Sequence, residues 1–190
     1  MKKVLILALL LCAFLGGVFA ENAEDKSPAL ENGFGFDMAE QLLTSLTGMG
    51  LVSLPFDYQH SFSGNLGLSV GINPVVWLMP IMDGAAVSEY LDLVIAVGPS
   101  YYLSAEGIGG LYGKARAIVE IVGPGFLSEL SAAGVDANAL NFGAELHVGY
   151  NLLFGPLEQA KTFLSPEIGF RFMPYSGLSV NWGVLFGSAF

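Results

Sequence analysis

Ionisable residues from Asp92 onward recur at alternate positions of otherwise apolar segments. Asp92, Lys114, Arg116, Glu120, Glu145, His147, Glu167 and Arg171 each sit between aliphatic, aromatic or small neighbours. That spacing suits ion pairing on one face of an extended chain, because successive strand side chains point to opposite sides. It does not suit catalysis or metal binding. The only histidines, His60 and His147, are far apart, and the single cysteine is Cys12. No nucleophile–histidine–carboxylate set or metal-ligand spacing forms from them. Gly107, Gly109 and Gly110 resemble a fragment of a phosphate loop, but no helix with a Lys-Ser/Thr pair follows. The expectation is a non-enzyme without catalytic residues, cofactor or metal.

The elements carrying these charges are long alternating strands. From Leu140 to Leu152 one face holds Leu140, Phe142, Ala144, Leu146, Val148, Tyr150 and Leu152, and the other holds Asn141, Glu145, His147 and Asn151. Strict alternation over that length is a half-buried strand, and it exceeds the usual five or six residues of a soluble-protein strand. Leu178–Phe190, Leu66–Asn73, Glu167–Met173, Leu111–Ile121 and Leu91–Gly98 repeat the pattern. Two earlier strands, Gly33–Met38 and Leu51–Gln59, bring the total to eight, with Phe34, Phe36, Met38, Val52, Leu54, Phe56 and Tyr58 outward. A short helix in the first outside loop fits Ala39–Thr47, where Leu42, Leu43 and Leu46 share a face. Connections alternate between long (Ala39–Gly50, Pro74–Glu89, Val122–Asn138) and short (Ser61–Asn65, Ser104–Gly110, Gly155–Lys161), with a short last turn at Pro174–Gly177. The fold class expected is all-β, an eight-stranded antiparallel up-and-down transmembrane β-barrel.

Charges are costly against lipid, at roughly 2–4 kcal/mol for a mid-membrane Lys or Arg, so they are expected to line the lumen. With turns centred near Leu130 and Leu157, Arg116 and Arg171 fall on either side of Glu145. Glu167 falls near His147, with Lys114 near it from the other strand. An Arg116–Glu145–Arg171 network is therefore expected at the centre of a lumen group that also includes Lys114, Glu120, His147 and Glu167. It would either fill and neutralise the interior or act as a gate.

The N-terminal twenty residues read as a cleaved secretory signal: Lys2 and Lys3, an uncharged apolar stretch from Val4 to Phe14, then Gly16, Gly17 and Ala20 before Glu21. A membrane anchor is the weaker reading, since the apolar run is short for a helical span. Acylation of Cys12 is disfavoured by Leu11 in front of it. Cleavage after Ala20 leaves Glu21–Asn32 as a flexible periplasmic leader and 33–190 as the barrel. The mature bases are then Lys26, Lys114, Arg116, Lys161 and Arg171, so the chain becomes more acidic than its formal −10. That balance argues against a nucleic-acid partner. Hydrophobic content is 53% and mean hydropathy +0.60, yet no later run is long enough for a transmembrane helix. A lipid-facing barrel spreads its hydrophobicity in this way.

From Asn32 to Phe190 the chain resembles the small eight-stranded outer-membrane barrel families, such as OmpX, the OmpA membrane domain and OmpW. The C-terminal strand carries the likeness most specifically: Phe190 is aromatic and terminal, and Trp182, Val184 and Phe186 are apolar at alternate positions, with Ser188 departing from the pattern. The resemblance implies a bacterial outer-membrane location, lipid contact, and recognition of Trp182, Val184, Phe186 and Phe190 by barrel-assembly machinery. The OmpA likeness motivates the gate. The OmpW likeness makes the apolar loop segment Trp77, Leu78 and Met79, between Pro74 and Pro80, an entry for a small hydrophobic solute. Packing of the loops on each other, with Phe126, Leu127 and Leu130 in the next one, is the competing reading. The functional expectation is a narrow porin-like or small hydrophobic-solute channel. The alternative is a structural or adhesive barrel with partner-binding loops. A soluble barrel of lipocalin type would have to expose Phe142, Trp182 and Phe186 to water.

Overall fold

The computed structural model describes residues 30–38, 50–62, 65–103, 107–154 and 161–190, apart from the Met79 side chain. The expected signal sequence, most of the leader and the Ala39–Thr47 helix lie outside the described residues. Eight staves form the wall: β1 (Asn32–Asp37), β2 (Leu51–Ser53 continuing as Phe56–Ser61), β3 (Leu66–Trp77), β4 (Leu91–Tyr102), β5 (Gly110–Val122), β6 (Leu140–Phe154), β7 (Lys161–Met173) and β8 (Gly177–Ala189). Each pairs antiparallel with the next in sequence. Pairing of β1 with β8 closes the circle, and Asn32 and Phe190 exchange two backbone hydrogen bonds of 2.9 and 2.8 Å there. The up-and-down antiparallel barrel expected from the alternation is the fold observed.

The two pieces of β2 are one stave. Val52 pairs with Val76 and Phe56 with Ile72 in a single register along β3. Between them the Leu54 N–H still reaches the Pro74 carbonyl at 3.0 Å, and the Pro55 carbonyl still accepts from Asp37 at 2.9 Å. Pro55 has no N–H to give, so the ladder is interrupted without the strand leaving the wall. Pro99 and Pro166 act alike. The β4–β5 ladder skips from Val97–Ala117 to Ser100–Lys114, and the β6–β7 ladder from Gly149–Glu167 to Leu152–Leu164.

The pairing is staggered. Followed from Phe34 through Tyr58, Val70, Val97, Ala117, Ala144 and Phe172, it arrives at Leu178. Phe34 itself pairs with Ser188, ten residues further along β8. A stagger of ten over eight strands tilts them by about 40° to the barrel axis.

Two expected loops contain more order than the sequence suggested. β3 runs through Pro74 to Trp77, because Pro74, Val75 and Val76 face Leu93, Asp92 and Leu91 of β4. The expected outside loop therefore starts later, with helix α1 (Leu78–Met82) and a 3-10 turn (Val87–Glu89). The next loop holds α2 (Pro124–Ala132), which Gly123 enters in extended conformation and Pro124 begins. The last turn at the loop end is the short one expected, with Gly177 at φ 76°.

Every charged residue within the eight strands falls on the inward parity. The outward parity is apolar along nearly all its length, and Leu146, Val148, Ile168, Phe170, Val180 and Trp182 are each more than half exposed. The polar exceptions, Asn32, His60, Thr162 and Ser188, cluster at the end of the wall that holds Phe190.

Candidate functional site

The lumen is organised in layers, each assembled from side chains two residues apart on several strands. The central layer is ionic. Arg116 of β5 and Arg171 of β7 both pair in register with Glu145 of β6, so the hairpins alone put the three together. Arg116 Nε donates to Glu145 Oε1 at 2.6 Å, and Arg171 Nε donates to Oε2 at 3.0 Å. Lys114 Nζ lies 2.7 Å from Glu167 Oε2 and 3.0 Å from Asp57 Oδ2. Arg116 also donates to Asp57 through Nη1, and to Ser69 Oγ at 3.2 Å. His147 stands between Glu145 and Glu167, 3.4 Å from each, and is buried.

The Arg116–Glu145–Arg171 network is thus observed, with His147, Glu167 and Lys114 beside it as the register implied. Asp57 is the addition. It binds Lys114 and Arg116 together, so three carboxylates (Asp57, Glu145, Glu167) face three bases (Lys114, Arg116, Arg171). The sequence signal for Asp57 was its place between outward Phe56 and Tyr58. Glycines make the room: a Cβ on Gly71 would lie 2.8 Å from Arg116 Nη1, and one on Gly169 2.7 Å from His147 Cγ.

Glu120 stands apart from this layer, nearer the loop end. It accepts from Asn141 Nδ2 at 2.9 Å and from the Tyr175 hydroxyl at 2.6 Å. Burial, and then the bond to Glu120, hold the Tyr175 phenol above its ordinary pKa. Val94, Ala96, Ile118 and Met173 form an apolar wall there, with Tyr175 against it. A cavity of about 220 Å³ adjoins the ion layer, lined among others by Asp37, Asn73, Arg116, Glu145, Arg171 and Asn181.

At the opposite end the lumen has an apolar floor of Tyr102, Ile108, Tyr112, Phe163, Leu185 and Ala189. Tyr102, Ile108 and Tyr112 are wholly shielded from solvent. Again glycines receive the large groups. A Cβ on Gly33 would meet Ile108 Cδ1 at 2.6 Å, one on Gly35 Phe163 Cζ at 2.8 Å, and one on Gly149 Tyr112 Cζ at 2.6 Å. The Tyr112 hydroxyl ties floor to ion layer, lying 2.9 Å from Ser165 Oγ and donating to Glu167 Oε2 at 2.8 Å. Sequence reasoning missed the floor, because Ile108 comes from a connection rather than a strand.

The segment expected as a solute entry is partly a packed cluster. The Trp77 ring meets Tyr90 edge-on at 5.9 Å and Phe126 at 6.3 Å, joining the two longer described loops. Trp77 N–H donates to the Tyr90 carbonyl and Leu78 N–H to that of Gly50. Leu78 is 40% exposed, with Met82 and Val87 more so. The C-terminal residues Trp182, Phe186 and Phe190 are exposed on the outer face, with Val184 between them half-buried. His60 lies on that face too, with Nδ1 2.9 Å from Asn32 Oδ1. The described residues form no group of three or more His, Cys, Asp or Glu able to hold a metal ion.

No protein-family model, curated protein or solved structure matches this chain.

Proposed function

We propose that this chain is an exported bacterial outer-membrane barrel with a filled lumen, a membrane-embedded scaffold that presents its loop end rather than an open pore. The observation that supports this most is the reversal of polarity: charges inside, apolar and aromatic side chains outside. In water each large outward side chain would forgo roughly 1.5–3 kcal/mol of burial, a penalty repeated along every stave. In lipid that penalty vanishes. The outward run from Leu140 to Leu152 rises about 30 Å at a tilt near 40°, which matches the hydrocarbon thickness of roughly 30 Å.

Three outward tyrosines support a boundary at the lower rim. The Tyr58 hydroxyl donates to Asn32 Oδ1 at 2.7 Å, the Tyr101 hydroxyl accepts from Asn65 Nδ2 at 3.2 Å, and Tyr150 is exposed nearby. Aromatic side chains with one wet end favour the membrane–water interface. Phe190 and the alternating residues before it remain the proposed contact for barrel-assembly machinery.

The deciding experiment is detergent extraction of outer membranes followed by heat-modifiable migration on a gel. A soluble periplasmic product with no such shift sinks the proposal. The narrow-channel reading keeps one supporting observation, the cavity beside the ion layer, whose lining runs from Val94 to Leu185. Uptake of a small hydrophobic solute that falls with Leu78→Ser, the barrel staying folded, would favour it.

A further inference from the structure

We propose that the lumen is closed by two seals in series, the ion layer and the apolar floor beneath it, so that breaking the ion layer at Glu145 alone opens no path. The inference rests on the membrane-barrel reading and concerns the regulation of that same lumen.

The floor is a built structure. The connection between β4 and β5 turns inward at Gly107 and out again at Gly110, both with left-handed backbones (φ 70° and 80°) that other residues adopt at a cost. Between them Ile108 enters the barrel. Its N–H donates to the Leu30 carbonyl at 3.1 Å, and its carbonyl accepts from Asn151 Nδ2 at 2.5 Å. Asn151 also donates to Gln59 Oε1 at 3.1 Å, so the strand side chain that holds the connection is itself tied to β2. Phe163, Tyr102 and Tyr112 fill the remaining cross-section against the glycines of β1, β3 and β6.

The two closures differ in kind. The ion layer depends on charge pairing, which a substitution or a competing ion can disturb. The floor depends mainly on apolar packing, which salt does not screen, and meets the ion layer through the Tyr112 hydroxyl on Glu167. An ion crossing the barrel would have to pass both. Glu145 touches no floor residue among the contacts described, so losing it leaves Ile108 and Phe163 in place.

The test is single-channel recording of the full chain in planar bilayers. The variants are Glu145→Ala, the floor variant Ile108→Gly/Phe163→Ala, and their combination. Each is first checked for heat-modifiable migration and for co-flotation with liposomes. If the floor variant does not fold, Ile108→Ala/Leu185→Ala replaces it. Wild type and the two partial variants are expected to stay silent, and the combination to give discrete current steps. Steps from Glu145→Ala alone, steps from the floor variant alone, or silence from a folded, inserted combination would each overturn the proposal. Failure of the wild type to float with liposomes would instead sink the membrane reading.

Discussion

Arg116 and Glu145 face each other directly across the β5–β6 ladder, and the guanidinium Nε is 2.6 Å from the carboxylate. Glu145 is also the acceptor for Arg171 on its other side. One carboxylate therefore bridges two guanidinium groups, and Asp57 supplies the second negative charge through Arg116. Replacing Glu145 with Ala leaves both without it, and removing one member of a buried ion group costs about 3–5 kcal/mol. The midpoint of urea unfolding, read by the folded band on a gel, is expected to fall accordingly. Glu145→Gln should lose less, since its amide oxygen still accepts. A Glu145→Ala midpoint equal to wild type would show that the pairing does not stabilise the barrel.

Asp57 should matter as much as Glu145, although it lies in the broken stave. Lys114 and Arg116 both bind it. Asp57→Ala and Arg116→Ala are expected to be non-additive, with a coupling of about 0.5–3 kcal/mol in a double-mutant cycle. Glu129→Gln, on exposed α2, serves as the control, within about 0.5 kcal/mol of wild type. Simple additivity of the Asp57 and Arg116 changes would contradict the shared site.

Gly149→Ala tests the floor from the strand side. The added methyl would press on the Tyr112 ring, whose hydroxyl is held by Ser165 and Glu167. Overpacking of this kind costs about 1–3 kcal/mol. Gly113→Ala, on the same ladder but with only a backbone oxygen 3.7 Å away, should be milder. Equal effects at the two glycines would remove the case for ring–glycine fit.

Leu146→Lys separates a lipid-facing wall from a water-facing one. Leu146 lies near the middle of β6, 55% exposed, opposite Ala115 and Phe170. In a bilayer the lysine is expected to cost about 2–4 kcal/mol. In water it would leave stability unchanged and raise solubility. Unfolding from liposomes, compared with Leu146→Ala, distinguishes the two.

Trp182 gives an optical check of the same wall. It stands 55% exposed, across from Ile168. With Trp77 replaced by Phe, emission of the remaining Trp182 is expected to be quenched by lipids brominated along the chain and to ignore aqueous iodide. The opposite pattern would place this face in water.

The wall was legible because its signal is a parity. Leu140–Leu152 states which residues face which way without any knowledge of neighbours, and the paired hairpins then bring Arg116 and Arg171 to Glu145. Residues whose placement depends on other strands were harder to read. Asp57 reaches Lys114 only once the sheet closes between β2 and β5 through β3 and β4. Ile108 carries no strand parity at all, and only the glycines around it hinted at an inward turn. Prolines misled at Pro74, because a missing N–H looks like a strand end in sequence, while its carbonyl still holds Leu54 in the wall.

The alternation in the wall has a blind spot. Sliding one stave by a single residue exchanges its two faces, and solvent chemistry rejects that at once. Sliding it by two leaves every apolar group outward and every charge inward, so the surface cannot tell the mistake from the correct assembly. The ion layer can. Two residues of slip between β5 and β6 would bring Arg116 opposite Gly143 or His147 in place of Glu145, parting the guanidinium from that carboxylate. The lumen charges thus act as a combination lock on the order of assembly, discriminating among the even registers that hydrophobicity alone accepts equally.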